Sequence, residues 1–188
     1  NGDGVRRLWN EIFAWYNQKY PENIMLSEWS NPEQSLSAGF NIDLLIHNGI
    51  GGKVYRPLVC ETTNKMAPTI CYFNRAGKGE VRKAMEQYTK IYNDYRKIGG
   101  YASMPTCSHD IWRLTRMNRN TPEEQKVVIT LFLTLPTPPI VYYGEEIGMC
   151  SSGKKDENKR LPMFWSENDS DEMTAMVLAY RNKSKTDN

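Results

Sequence analysis

At 188 residues the chain has the length of one ordinary domain and is too short to be read as two. Lys plus Arg number 24 against 22 Asp plus Glu, and a net charge of +2 leaves no single-sign field to recruit nucleic acid or an anionic membrane surface. Hydrophobic residues at 39% with balanced charge exclude an intrinsically disordered chain, and the longest nearly apolar stretch, from Val127 to Pro136, falls well below the ~20 residues that span a bilayer, so a packed, soluble domain is expected.

Val5, Leu8, Trp9, Ile12, Phe13 and Tyr16 recur at helical spacing and Pro21 stops the pattern, which predicts an amphipathic helix over residues 3–20 with Asp3 as its cap. IMLSEW follows as a short buried strand that ends in Ser27, Glu28 and Trp29, before the turn residues Ser30, Asn31 and Pro32. Pro32 to Gly39 reads as a linking segment, FNIDLLIH as a second strand ending in His47, and Asn48 to Gly52 as a glycine-rich loop; residues 53–76 read as irregular. From Gly79, the positions Val81, Ala84, Met85, Tyr88, Ile91, Tyr92 and Tyr95 predict a second helix closed by Gly99 and Gly100, its tyrosine stripe facing the core.

YASMPTCSHD reads as a third strand with polar residues at its end. Thr121, Pro122 and Glu124 form a helix start with cap, first-position proline and capping-box acid. Beyond Pro136, Pro138 and Pro139, IVYYGEEIGM is expected as a fourth strand, followed by a polar loop over 151–172 and a last helix carrying Met173, Met176, Val177 and Tyr180. Cys60, Cys71, Cys107 and Cys150 are widely spaced, with no CxxC pair, and only His47 and His109 accompany them, so free thiols are expected, and neither a metal site nor a cofactor. The chain begins at Asn1 with no Met and no apolar leader, which reads as a processed or excised start; localisation cannot be read from it, and a cytoplasmic setting is the favoured expectation.

Alternating strands and helices predict an α/β fold with a parallel sheet, and such sheets place their chemistry in the loops after the C-terminal strand ends. Three expected strand ends carry acids or histidine: Glu28, His109 with Asp110, and Glu145 with Glu146. Carboxylate chemistry is the first hypothesis. Glu145 and Glu146 would point to opposite faces of an extended strand, so they read as structural; Asp43, inside the second strand, receives no role, and His47 reads as a loop histidine.

These strand ends resemble the C-terminal half of an α-amylase family (glycoside hydrolase family 13) catalytic barrel, nearest its α-glucosidase and oligo-1,6-glucosidase branch. IMLSEW resembles the fifth-strand motif with the general acid, and CSHDIWR resembles the seventh-strand motif usually written NHD, with Ser108 where the family has Asn. TLPTPPIVYYGEEIGM is similar to the family's eighth-strand segment, and RLPMFW to the RxPMxW loop beyond it. The resemblance runs from about Leu8 to Tyr180. It implies that residues 1–188 are a partial (β/α)8, or TIM-barrel, catalytic domain from helix four to helix eight, with the GFRxD strand and its nucleophilic aspartate upstream. Asp3, in NGDGVRR, lacks the context of that motif and is not assigned as nucleophile.

The resemblance further implies a retaining hydrolase of α-glucosidic bonds. Glu28 would be the general acid, its carboxyl tuned by an apolar strand end and Trp29; Asp110 would stabilise the oxocarbenium-like transition state. His109 would hydrogen-bond the same sugar, Arg113 and Arg160 would touch substrate at the rim, and Trp29 and Trp165 are candidates to stack on sugar faces. The partner implied is an α-linked oligosaccharide or glucan. The alternatives are trehalose synthesis or another transglycosylation, and a non-catalytic carbohydrate-binding module. A half barrel also leaves sheet edges without neighbours, from which self-association is expected.

Overall fold

The computed structural model describes residues 2–46, 49–59, 81–115, 121–150, 156–163 and 165. Its elements are α1 (Gly2–Lys19), β1 (Leu26–Ser27), α2 (Pro32–Ser37), β2 (Ile42–Leu44), α3 (Gly52–Val59), α4 (Val81–Ile98), β3 (Tyr101–Ser103) and α5 (Pro122–Thr134), with a 3-10 helix at Asp156–Lys159. The three strands form one parallel sheet in the order β1-β2-β3, with Leu26 opposite Ile42 and Ile42 opposite Tyr101. The expected α/β class and parallel sheet are therefore present, although each strand is shorter than its apolar run. Among the described residues no helix is long and apolar enough to cross a membrane.

β2 is buried along its whole length, as a central parallel strand covered on both faces must be. Val54, Tyr55 and Leu58 from α3, and Ala84, Tyr88, Ile91 and Tyr95 from α4, pack with Leu44, Leu45, Ala102 and Met104 into one core that also holds Val128 and Phe132 of α5. The tyrosine stripe of α4 thus faces the core, and that helix closes through Gly99, whose φ of +97° only glycine adopts without strain. α5 starts as expected: the Thr121 hydroxyl accepts from the Glu124 amide while the Glu124 carboxylate accepts from the Thr121 amide.

Four local expectations give way. The linking segment after Pro32 is the helix α2, capped by Asn31, and the stretch after Gly52 begins with α3. Asp3 does not cap α1; it lies in the first turn and pairs with Arg6 at 3.1 Å. IVYYGEEIGM is not a strand. Ile140 makes one parallel bridge to Pro105, and then Gly144 and Gly148, at φ of +80° and +73°, turn the chain at two points no extended strand can tolerate. In α1 only Phe13 is fully buried, because the apolar positions spread over an arc of ~160° at ~100° per residue and a single neighbouring surface covers one flank. That flank packs Trp9 and Phe13 on Phe40, and Phe13 comes so close to Gly39 that a side chain there would collide with its ring. Cys107, buried, and Cys150, exposed, form no disulfide; Cys60, Cys71 and the helix expected at 173–180 lie outside the described residues.

Candidate active site

Glu28 follows β1, and His109 and Asp110 lie on the loop that continues β3 past its C-terminal end. Because β1 and β3 run parallel in one sheet, their C-terminal ends open to the same side. The Glu28 carboxylate, the His109 ring and the Asp110 carboxylate meet there, each offering an atom within 4.8 Å of the others. This oxygen and nitrogen set is also the one group of three among the described residues with the spacing to hold a cation, and all three side chains are exposed. The expected apolar surroundings of Glu28 are not found: the carboxyl is open to water and Trp29 beside it is 62% exposed.

Asp110 is held from several directions. His109 Nε2 lies 3.5 Å from its Oδ2, and Arg160 Nη2 donates to its Oδ1 at 3.2 Å. Arg160 Nε also donates to the His109 carbonyl at 3.2 Å, and Lys159 Nζ donates to the Asp110 carbonyl at 2.8 Å while sitting over the Trp112 ring. The Asp156–Lys159 turn and Arg160 thus strap the loop from outside. From inside, the Ser108 hydroxyl accepts the amides of Asp110 and Ile111 at 3.1 and 3.2 Å, so a hydroxyl in this position ties the turn together.

Arg113 does not reach the rim. Its side chain is 0% exposed, its Nη1 donates to the Tyr143 carbonyl at 2.7 Å and lies 3.4 Å from Glu145 Oε1, and its guanidinium stacks on Tyr142 and Tyr143. The expectation of a substrate contact is corrected by burial: a guanidinium enclosed by a carboxylate and two rings braces the turn at Tyr142–Glu145. Glu145 is also fully buried, taking hydrogen bonds from the Cys107 thiol at 3.1 Å and, on its carbonyl, from Gln125 Nε2 at 2.6 Å; Glu146 is exposed. Burial pushes the Glu145 carboxyl upward against the lowering effects of the Cys107 hydrogen bond and the Arg113 charge. It pushes the Cys107 thiol well above its ordinary range, and the neighbouring Glu145 adds to that. The structural reading of both glutamates holds for Glu145 by ion pairing across a turn, not by alternation along a strand.

Beside Glu28 a groove of about 870 Å³ lies between α1, β1 and α2, lined by Trp9, Leu26, Glu28, Trp29, Glu33 and Phe40 among others. Trp29 stands in it with its indole donating to Gln34 at 2.8 Å, whereas Trp165 is 78% exposed. His47 lies outside the described residues.

Residues 62–187 match the model of the alpha-amylase catalytic domain. This chain belongs to the alpha-amylase family. Its small parallel sheet is accordingly part of a TIM barrel. A stretch of 66 residues is 36% identical to a 4-alpha-glucanotransferase of Thermotoga neapolitana, covering 34% of this chain and 15% of that relative, so the match spans a minor part of the curated protein. No solved structure matches the chain. His109 and Asp110 lie inside the matched residues and Glu28 outside them; the fold brings the two sets together. Sequence reasoning missed Lys159 and Asp43. Lys159 lies next to the RLPMFW run, which drew attention to Arg160 alone. Asp43 carried one signal, a lone acid in a strand otherwise buried on both faces.

Proposed function

We propose that this chain is the second half, fifth strand to eighth helix, of the catalytic barrel of a retaining enzyme acting on α-glucosidic bonds, with β1, β2 and β3 as its fifth, sixth and seventh strands. The observation that carries the reading is the meeting of Glu28 with His109 and Asp110 at the C-terminal end of the parallel sheet. Glu28 delivers the proton to the leaving oxygen. Asp110, fixed by Arg160 and His109, accepts hydrogen bonds from sugar hydroxyls and lays its negative charge beside the ring as positive charge develops there. His109 presents its ring to the same sugar, Arg160 closes the rim, and Trp29 offers an aromatic face in the groove. No GFRxD motif occurs in these 188 residues, so the nucleophile is assigned to another part of the protein.

Glu28→Gln in the full-length protein is expected to lower turnover of maltose or isomaltose by at least 100-fold, as loss of a general acid does. A variant with near-normal turnover would reject the assignment. The isolated chain is expected to turn over neither sugar, and turnover in it that Glu28→Gln abolishes would show that a nucleophile is present after all. A second reading, transfer of the glycosyl group to another sugar, is favoured by the glucanotransferase relative. Product analysis separates them: free glucose marks hydrolysis, longer oligosaccharides mark transfer. A chain that binds maltooligosaccharides while its full-length protein turns over none would instead be a binding module.

A further inference from the structure

Asp43 of β2 is 0% exposed, sits one strand away from Glu28, and belongs to no motif. One of its oxygens, Oδ1, collects the loop that carries Glu28: it accepts the Ser27 hydroxyl at 2.6 Å, the Trp29 amide at 3.1 Å and the Ser30 amide at 3.3 Å. The Ser27 hydroxyl is also hydrogen-bonded to that of Ser35 in α2. Ser30, held at a φ of +56°, is anchored onward, its hydroxyl accepting the Ile46 amide at 3.2 Å and its carbonyl the Ile50 amide at 3.1 Å. These donors flank Glu28 in the chain, and the Asn31 amide also acts on the carboxylate, so the backbone that aims the acid is pinned before and after it. Oδ2 is buried with no partner among the described residues, so the side chain bears a desolvation cost that its packing alone does not explain.

We propose that Asp43 is the positioning residue for Glu28, gathering Ser27, Trp29 and Ser30 on one carboxylate oxygen so that the acid's carboxyl is held toward His109 and Asp110. The inference rests on the assignment of Glu28 as the acid. A neutral side chain of the same shape keeps the acceptor and loses the charge that strengthens these bonds, whereas a methyl group loses both. Correct aim matters most where the leaving group depends on the delivered proton. From maltose the leaving group is the 4-hydroxyl of glucose, a poorly acidic alcohol that needs that proton; from the nitrophenyl glucoside, nitrophenol leaves with little help.

The test is Asp43→Ala and Asp43→Asn in the full-length protein, assayed on maltose and on a nitrophenyl α-glucoside, with hydrogen–deuterium exchange read over residues 27–31 and 101–104. For Asp43→Ala the expected result is a loss of at least tenfold in kcat/KM on maltose and less than threefold on the nitrophenyl substrate. Exchange over 27–31 should become at least tenfold faster while 101–104 stays within twofold, and Asp43→Asn should recover most of each effect. Equal losses on both substrates, unchanged exchange over 27–31, or loosening of both segments together would overturn the proposal. If Asp43→Ala does not fold, Ser27→Ala removes one of these donors and is expected to show the same substrate asymmetry at about threefold. Glu28→Gln run in parallel keeps the two ideas apart: if it spares maltose the acid assignment fails, whereas if it is selective for maltose and Asp43→Ala is not, positioning by Asp43 fails.

Discussion

Glu145 and Glu146 are adjacent in the chain, yet one is enclosed with Arg113, Cys107 and two tyrosine rings and the other faces water. Removing one member of a buried ion pair leaves the other charged and unsolvated, so Glu145→Ala is expected to cost at least about 3 kcal/mol, against about 0.5 kcal/mol or less for Glu146→Ala. Urea denaturation measures both; equal costs would contradict the bracing role of Arg113. Asp43 makes a prediction of opposite character. Burial raises its carboxyl above the unfolded value of 3.8, against the lowering effects of Ser27 and of the amides of Trp29, Ser30 and Asn31. A carboxyl raised on folding gives stability that is fully present below 3.8 and is lost as pH climbs through the folded value. The stability of the native chain relative to Asp43→Asn should therefore decline as pH rises from about 3 toward neutrality. A difference that grows over that range would contradict the raised value. At this scale the gathering of Glu28, His109 and Asp110 at one end of the sheet was legible because each follows an apolar run that ends in polar residues. The burial of Arg113 was not, since its partner stands 32 positions away and only the fold brings them together.

Helices and strands were legible where local chemistry and tertiary packing agree. The Thr121–Glu124 capping box is visible in four residues and satisfies two amides of α5 reciprocally; Thr121→Ala should cost ~1 kcal/mol, read as a lower urea midpoint with an unchanged slope. An unchanged midpoint would mean that the helix start is held by other contacts. α4 was equally plain, a long apolar period ended by two glycines. α3 was hidden because it is eight residues long and carries Pro57, so its pattern does not span enough turns to stand out, and Val54, Tyr55 and Leu58 acquire their meaning only against the sheet. The run 140–149 misled for the reverse reason. Its β-branched and aromatic residues favour a strand, but the Arg113–Glu145 pair and the packing of Met149 on Gly144 stabilise a turn over Tyr142–Gly148 instead. Both segments are fixed by long-range contacts to the residues just before Ser108, Tyr55 donating to the Thr106 carbonyl at 3.0 Å and Glu145 accepting from the Cys107 thiol, which no local pattern encodes.

The described part of the molecule is lopsided in what it covers. β1 ends the sheet, and on the same side α1 exposes Val5, Leu8, Ile12 and Trp15, four apolar residues spaced three and four apart that form one stripe along the helix. Leu26 and Trp29 extend apolar surface toward the site. A continuous stripe of this kind beside a strand edge is surface that a soluble chain covers with a partner. In the isolated 188-residue chain the available partner is a second copy, and a two-fold arrangement sets stripe against stripe. Self-association is therefore expected with a dissociation constant below about 10 μM, or roughly 7 kcal/mol. Placing charge in the middle of the stripe, as in Leu8→Glu with Ile12→Glu, should weaken it by at least tenfold, because two carboxylates would have to be buried or protonated in the contact. The same pair of substitutions should leave the folded monomer almost unchanged, since both side chains already face water and the Trp9–Phe13–Phe40 contact lies on the other flank of α1. Light scattering over a dilution series measures the association and circular dichroism the fold. A native mass that stays at 21.8 kDa up to high concentration would show that the stripe is not used between copies, and a double variant that associates as strongly as the native chain would move the interface elsewhere.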